Sequence, residues 1–182
     1  MLNRGPSPAP VPGSVPDAES TSRNVSWLSL KNASSAVTAR LECLSERGQR
    51  LVSVAAVIGR EFDFALLQHA AGLSEREAAE GVEELVGRRV LHGLGQRFDF
   101  THEWLREVAY DQLVQPRRNV LHVRVAKALE AVYARNLEQH RATVAEHYRA
   151  GEVWDKALAH SRLARARAMQ PSAYGEAVAC FE

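Results

Sequence analysis

From Ala36 onward, apolar residues recur at three- and four-residue steps, the spacing of helices that bury one stripe. Leu41, Leu44, Leu51, Val54, Ala55 and Ile58 carry this pattern, with one wider gap around Gly48. The spacing predicts a helix over about 36–46 and a second over about 48–58, ended by Gly59. Phe62-Asp-Phe64 reads as a short extended piece, and Ala65–Ala71 as a helix stopped by Gly72. Ser74, followed three residues later by Glu77, forms a capping box. It opens a helix whose apolar face carries Ala78, Val82, Leu85 and Val86. The period then changes to two. Val90–Leu94 and Arg97–Thr101 flank Gly95-Gln96, and Phe98 and Phe100 alternate with Arg97, Asp99 and Thr101, as in a half-buried β-hairpin. Thr101 is the predicted cap of the next helix, with Glu103 in its first turn facing the helix dipole. Trp104, Leu105, Val108, Ala109 and Leu113 form the stripe of that helix. Beyond Pro116 the pattern is helical throughout, over about 117–135, 138–150, 153–169 and 172–182.

Three helices, the third leading directly into a hairpin, follow the order of a winged helix, and serial amphipathic helices after it suggest an α-helical array. Trp154-Asp-Lys-Ala157-Leu-Ala159 and Tyr174-Gly-Glu-Ala177-Val-Ala179 share one form at an offset of 20 residues. That offset is not the 34-residue tetratricopeptide period, so stacked helices of tetratricopeptide type are expected rather than strict repeats. The expected fold is mainly α: a winged-helix domain over 36–114 and a tetratricopeptide-like helical segment over 115–182.

Residues 1–35 differ in kind. They hold five of the seven prolines within the first 16 positions, then a Ser/Asn-rich stretch, which predicts a disordered leader. The 182 residues otherwise have the balance of a soluble globular chain, 46% hydrophobic and 25% charged. The two cysteines, Cys43 and Cys180, are far apart and form no CxxC. Cys43, between Leu41 and Leu44, is expected to be a small core residue, and Cys180 beside Phe181 to pack as well. The leader has no apolar run of a secretory signal, and no stretch approaches the length of a membrane span, so a cytoplasmic location is expected. The net charge of +1 hides an asymmetry. Residues 36–114 carry 9 basic and 13 acidic side chains, whereas 115–170 carry 11 and 5. Such a contrast fits two modules with different partners.

Little of this points to catalysis. There is no GxxxxGK[ST], and Gly93-Leu-Gly95 falls in the hairpin rather than at a strand-to-helix junction. His102-Glu103 begins like a zincin motif, but Arg106 stands where the second histidine is needed. The remaining histidines, His69, His92, His122, His140, His147 and His160, lie singly along the chain. His140 and His147 are two helical turns apart, too far to share a metal unaided. No metal site and no catalytic set are expected, so the chain itself is read as not an enzyme. DNA binding through the third helix, Ser74–Arg89, is disfavoured. Glu75, Glu77, Glu80, Glu83 and Glu84 outnumber Arg76, Arg88 and Arg89, and an acidic helix is repelled by phosphates. Arg117, Arg118, Arg124, Arg162, Arg165 and Arg167 could form an anion-binding face, but arginines spread over several helices are more often a solvated surface. Helical arrays commonly bind peptides or partner domains.

Two stretches carry a family resemblance. Arg40-Leu-Glu-Cys-Leu-Ser-Glu46 and Ala55-Ala-Val-Ile-Gly-Arg-Glu-Phe62 resemble the winged-helix segment that follows the ATPase module in large bacterial STAND-type regulatory ATPases. Phe98-Asp-Phe-Thr-His-Glu-Trp-Leu-Arg-Glu-Val-Ala-Tyr110 is similar to that family's FxFxHxxxREVAY signature, and it is the most specific part. Leu121-His122, Ala126, Leu129-Glu130 and Ala145-Glu-His-Tyr-Arg-Ala-Gly151 continue the likeness. Such proteins are often joined to nucleotide-cyclase, LuxR-type or protein-kinase domains. The resemblance implies a non-catalytic regulatory and interaction fragment that couples nucleotide state to an output domain in an intact parent. It also implies that His102 is a sensor of the ADP phosphate, in an intact parent only. ATP or ADP would belong to that parent, with no cofactor in this chain. The partner would be another protein or the adjacent ATPase domain; nucleic acid is not expected through the winged helix, and no membrane is expected. The nucleotide-binding core is missing before residue 36, and the last predicted helix has no stop signal, so a chain cut short is expected. A DNA-binding winged-helix regulator and a free-standing helical adaptor are the alternative readings.

Overall fold

The computed structural model describes residues 38–168, so the predicted leader, the helix over 172–182, Tyr174 and Cys180 lie outside the described residues. Eleven elements follow in order among the described residues. Helix α1 covers 38–42 and α2 Glu46–Ile58; strand β1 is Glu61–Asp63; α3 is Phe64–Ala71 and α4 Glu75–Gly87. Strands β2 (Leu91–Leu94) and β3 (Arg97–Phe100) come next, then α5 (Glu103–Asp111), α6 (Gln115–Val132), α7 (Leu137–Ala150) and α8 (Trp154–Ala168). The chain is mainly helical, with one small antiparallel sheet ordered β1-β3-β2.

Local chemistry sets most of these boundaries. The capping box on α4 is complete, with the Ser74 hydroxyl accepting from the Glu77 amide and the Glu77 carboxylate accepting from the Ser74 amide. Helix α2 starts earlier than the apolar spacing predicts. The Ser45 hydroxyl accepts from the Gly48 amide, so the break falls at 43–45 and Gly48 lies inside the helix. Cys43 sits in that break and is exposed, not in the core. Pro116 stands within the first turn of α6 rather than before it, where its missing N–H breaks no helical bond. The extended piece at Phe62 becomes a third strand. Phe62 lies opposite Phe98 on β3, and the Phe62 ring stacks on Phe98 and meets Phe100 edge-on.

One apolar cluster runs from Leu41 to Ala157 and includes side chains from both the 36–114 and the 115–168 stretches. Helix α6 packs on α2 and α3, and α7 and α8 follow it in series through the short loops 133–136 and 151–153. Leu51, Leu67, Leu85 and Leu105 are fully buried beneath the sheet and helices, as are Val125, Val144 and Tyr148 in the later helices.

The α2–α4 crossing depends on Gly81. A Cβ at Gly81 would stand 2.3 Å from Leu51 Cδ1, and Leu51 is 0% exposed and has no room to swing away. Gly81→Ala gains up to about 1 kcal/mol of helix propensity but overpacks the crossing by about 1–3 kcal/mol. The variant is therefore expected to be less stable, by roughly 1 kcal/mol, as read from the midpoint of urea unfolding. A midpoint at or above that of the parent chain would show that the crossing is looser than this packing implies.

Candidate functional site

His102 connects the sheet to α5. It is the N-cap residue of α5, in extended backbone, and its side chain makes no capping hydrogen bond. The imidazole is exposed and stacks on Trp104 with ring centroids 5.8 Å apart. Thr101, predicted to cap this helix, does not. Its hydroxyl is buried without a hydrogen-bond partner among the described residues, because the chain is still extended there and the cap falls one residue later. Glu103 occupies the first turn as expected and pairs with Arg106 at 2.6 Å. Arg106 also donates to the carbonyl of Ala56 on α2.

The histidines do not all lie singly in space. His122 on α6 and His147 on α7 meet through their Nδ1 atoms at 2.9 Å, and both are buried. The Tyr110 hydroxyl, at the end of α5, lies 3.0 Å from His122 Nε2. The Arg118 guanidinium covers the Tyr110 ring and also pairs with Asp111. Two neutral imidazoles can share this contact only if one Nδ1 carries hydrogen and the other accepts it. Burial, followed by the nearby Arg118 and Arg149 charges, lowers the pKa of His122. Burial, then the neighbouring His122, lowers that of His147 to about 4, with Glu146 opposing. The triad ties the end of α5 to α6 and α7.

Two further polar contacts fasten the helical part. The Tyr133 hydroxyl at the end of α6 donates to Asp63 on β1, and the Tyr133 ring stacks on His140 at 4.0 Å. Desolvation and then the Asp63 hydrogen bond push the Tyr133 phenol up to about 12. Glu130 on α6 accepts from the Tyr148 hydroxyl at 2.6 Å, and His160 Nε2 on α8 lies 3.0 Å from its other oxygen. Lys156 donates to the Tyr148 oxygen and sits over the ring.

None of these contacts has the form of a reaction centre. The His122–His147 pair is buried and lines none of the four depressions around α2, α4, α5 and α6 of the described residues. Among the described residues, no three His, Cys, Asp or Glu side chains converge to hold a metal ion. No helix among them is long and apolar enough to cross a membrane. The third-helix acids are partly spent on internal contacts. Glu80 pairs with Arg47 and Arg76, and Glu84 accepts from the Ser45 amide and hydroxyl. Glu75 and Glu83 remain exposed. A depression of about 530 Å3 opens between α4 and the hairpin, lined by Phe64, Val82, Val86 and Phe98, with Glu83 its one charged side chain.

The sequence contained a signal for the buried histidines that residue spacing alone does not expose. His122 stands within the Leu121/Val125/Leu129 stripe and His147 beside Val144 and Tyr148, so both point inward. They are 25 residues apart on different helices, and only packing brings them together. The arginines of the basic segment separate into distinct settings: Arg118 is held by Asp111 and Tyr110, Arg117 and Arg124 face a groove against α2, and Arg162, Arg165 and Arg167 lie exposed on α8.

In comparisons with known proteins, no family model, no curated protein and no solved structure matches the chain.

Proposed function

We propose that this chain is the regulatory and interaction portion of a STAND-type signalling ATPase, a winged helix continued by tetratricopeptide-like helices, and that it couples nucleotide state to an output domain. The observation that carries the reading is the order α2-β1-α3-α4-β2-β3 together with the strand order β1-β3-β2. That is the topology expected of a winged helix, with α4 as its third helix and β2–β3 as its wing. The serial packing of α6, α7 and α8 supports an array as the continuation, with the change of module near Val114.

Within that reading the Phe98–Tyr110 motif has two ends with different roles. Its His102 is exposed at the start of α5, where free backbone N–H groups favour an anion, and so suits contact with a phosphate of nucleotide held by a neighbouring module. Its Tyr110 is inward and meets His122, so a displacement of α5 is felt by the helices that follow. The chain itself acts as a non-enzymatic coupling element, with ATP or ADP belonging to the ATPase module. A DNA-binding role is the poorer reading, since α4 turns Glu75 and Glu83 to solvent.

The test is His102→Ala in a chain that also carries the upstream ATPase module. ADP affinity is expected to fall about tenfold, the loss of one charge-assisted hydrogen bond, with a rise in resting activity. Unchanged ADP affinity and unchanged resting activity would remove the sensor role. Coding DNA without a P-loop on either side would replace the whole reading with that of a free-standing adaptor.

A further inference from the structure

Along one side of the molecule α2 and α6 form the walls of a groove, and the C-terminal end of α3 closes it. Two depressions, of about 430 and 150 Å3, share Arg50, Ala71 and Arg124 and so make one continuous trough. Its cations are Arg50 on α2 and Arg117, Arg124 and Lys127 on α6, all exposed, with the exposed His69 of α3 beside them. No carboxylate lines either depression, and no ion pair within 4.0 Å engages Arg50, Arg117, Arg124 or Lys127 among the described residues. The nearest acids act from outside. Glu77 on α4 feels the Arg50 charge, and Glu42 shares a separate depression with Arg117. Most arginines elsewhere on α4, α5 and α7 are paired with a carboxylate: Arg76, Arg106, Arg141 and Arg149 all are. The cations of this trough, like Arg162, Arg165 and Arg167 on α8, engage no carboxylate within 4.0 Å among the described residues.

Its floor is apolar. Val54, Leu121 and Ala128 are buried beneath it, and Val120, 52% exposed, is its accessible apolar side chain, between Arg117 and Arg124 on α6. Arg117, Arg124 and Lys127 fall on one face of α6 and span about 15 Å along the axis at 1.5 Å per residue. The trough therefore offers separated positive charges around one exposed valine.

We infer that this groove is a docking site for an acidic amphipathic helix of a partner protein. Charge complementarity selects the sign of the partner, and exposed Val120 between the cations calls for an apolar residue between its charges, the form of an amphipathic helix. The spacing of the cations matches carboxylates about seven residues apart, with leucine or valine between them. A compact polyphosphate fits less well. The cations do not converge on one point but are divided between α2 and about 15 Å of α6. This inference does not depend on the ATPase reading.

The test uses the full chain and a fluorescein-labelled synthetic helical peptide with glutamate at heptad spacing and leucine between. Anisotropy is expected to show saturable binding that weakens as salt is raised. The double variant Arg124→Ala/Lys127→Ala is expected to bind about tenfold more weakly, from two exposed charge pairs of up to about 1 kcal/mol each. Arg162→Ala/Arg165→Ala on α8 removes the same charge from another surface and is expected to leave binding unchanged. Circular dichroism checks that each variant keeps its helix content, which surface substitutions of this kind leave intact. Absence of saturable binding would overturn the inference, as would equal effects of the two double variants. So would tripolyphosphate binding more tightly than the peptide and losing its affinity in Arg124→Ala/Lys127→Ala.

Discussion

Acidification from pH 6.5 to about 4 is expected to remove about 3 kcal/mol of folding stability through His147. The sign follows from proton binding. His147 has its folded pKa lowered to about 4 from an ordinary 6.5, so between those values the unfolded chain binds a proton that the folded chain refuses. The stability is fully present above 6.5 and is lost as the pH falls toward 4. The first cause is burial, and the Nδ1–Nδ1 contact with His122, in which one hydrogen serves two rings, adds to it. A second proton places two N–H groups face to face in a buried site already near Arg118 and Arg149. His122 shifts in the same direction and adds to the effect. Glu77, Glu80, Glu84 and Glu138 have pKa values lowered by their hydrogen-bond donors, so their contributions disappear below about 4.5. These carboxylates leave the part of this window above about 4.5 to the histidines. Urea unfolding at closely spaced pH values measures the slope. His147→Gln keeps a hydrogen-bonding group that does not titrate. It is expected to cost about 1 kcal/mol at pH 7 and to flatten the slope between 6.5 and 4.5. A variant with the same slope as the parent chain would locate the acid sensitivity elsewhere.

Tyr148→Ala is expected to cost about 3–5 kcal/mol, the range for deleting a buried aromatic ring. Tyr148 is 0% exposed and joins three helices at once. Its ring stacks on His160 of α8, its hydroxyl donates to Glu130 of α6, and it lies on α7 itself. Desolvation and the Glu130 hydrogen bond raise the phenol's pKa, so it stays protonated and keeps donating. Tyr148→Phe separates the two contributions. It keeps the ring but leaves Glu130 with one donor fewer, for a loss of about 1–2 kcal/mol. Hydrogen exchange across α8 distinguishes a local from a global effect. Faster exchange in α8 than in α2 is expected in Tyr148→Ala, because α8 packs chiefly on α7 and buries only Ala157 and His160. Equal acceleration in both helices would mean that α8 is bound into the core more tightly than this packing implies.

Much of the architecture was legible in local chemistry. The capping box at Ser74 and Glu77, the stop at Gly72, the alternation around Phe98 and Phe100 and the acid in the first turn of α5 all act within a few residues, and each appears where the spacing predicts. Boundaries differ where two local signals compete. Gly48 read as a break because helices tolerate glycine poorly, yet its missing side chain makes room for Glu84 at the α2–α4 contact. Cys43 read as core because it sits between two leucines, but the helix ends beside it and turns it outward.

The candidate site divides in the same way. His102 was visible because it belongs to a contiguous motif, and its position at the start of α5 follows from strand and helix signals on either side. The Tyr110–His122–His147 chain was not visible, since its three members lie on three helices and each looks unremarkable alone. The cationic groove was half visible. The excess of arginine after residue 115 can be counted, but the separation of Arg117 and Arg124 from Arg118 cannot.

The sequence by itself determined the helices, the hairpin, their order along the chain and the segregation of charge, because propensity, capping and periodicity operate over a turn or two of backbone. Tertiary structure alone decided that β1 joins β3, that His122 meets His147, and that Arg50 faces Arg124 across an apolar floor. Those pairings join residues far apart in the chain. They are selected by the packing of one continuous core, in which the position of each helix is set by all of its neighbours.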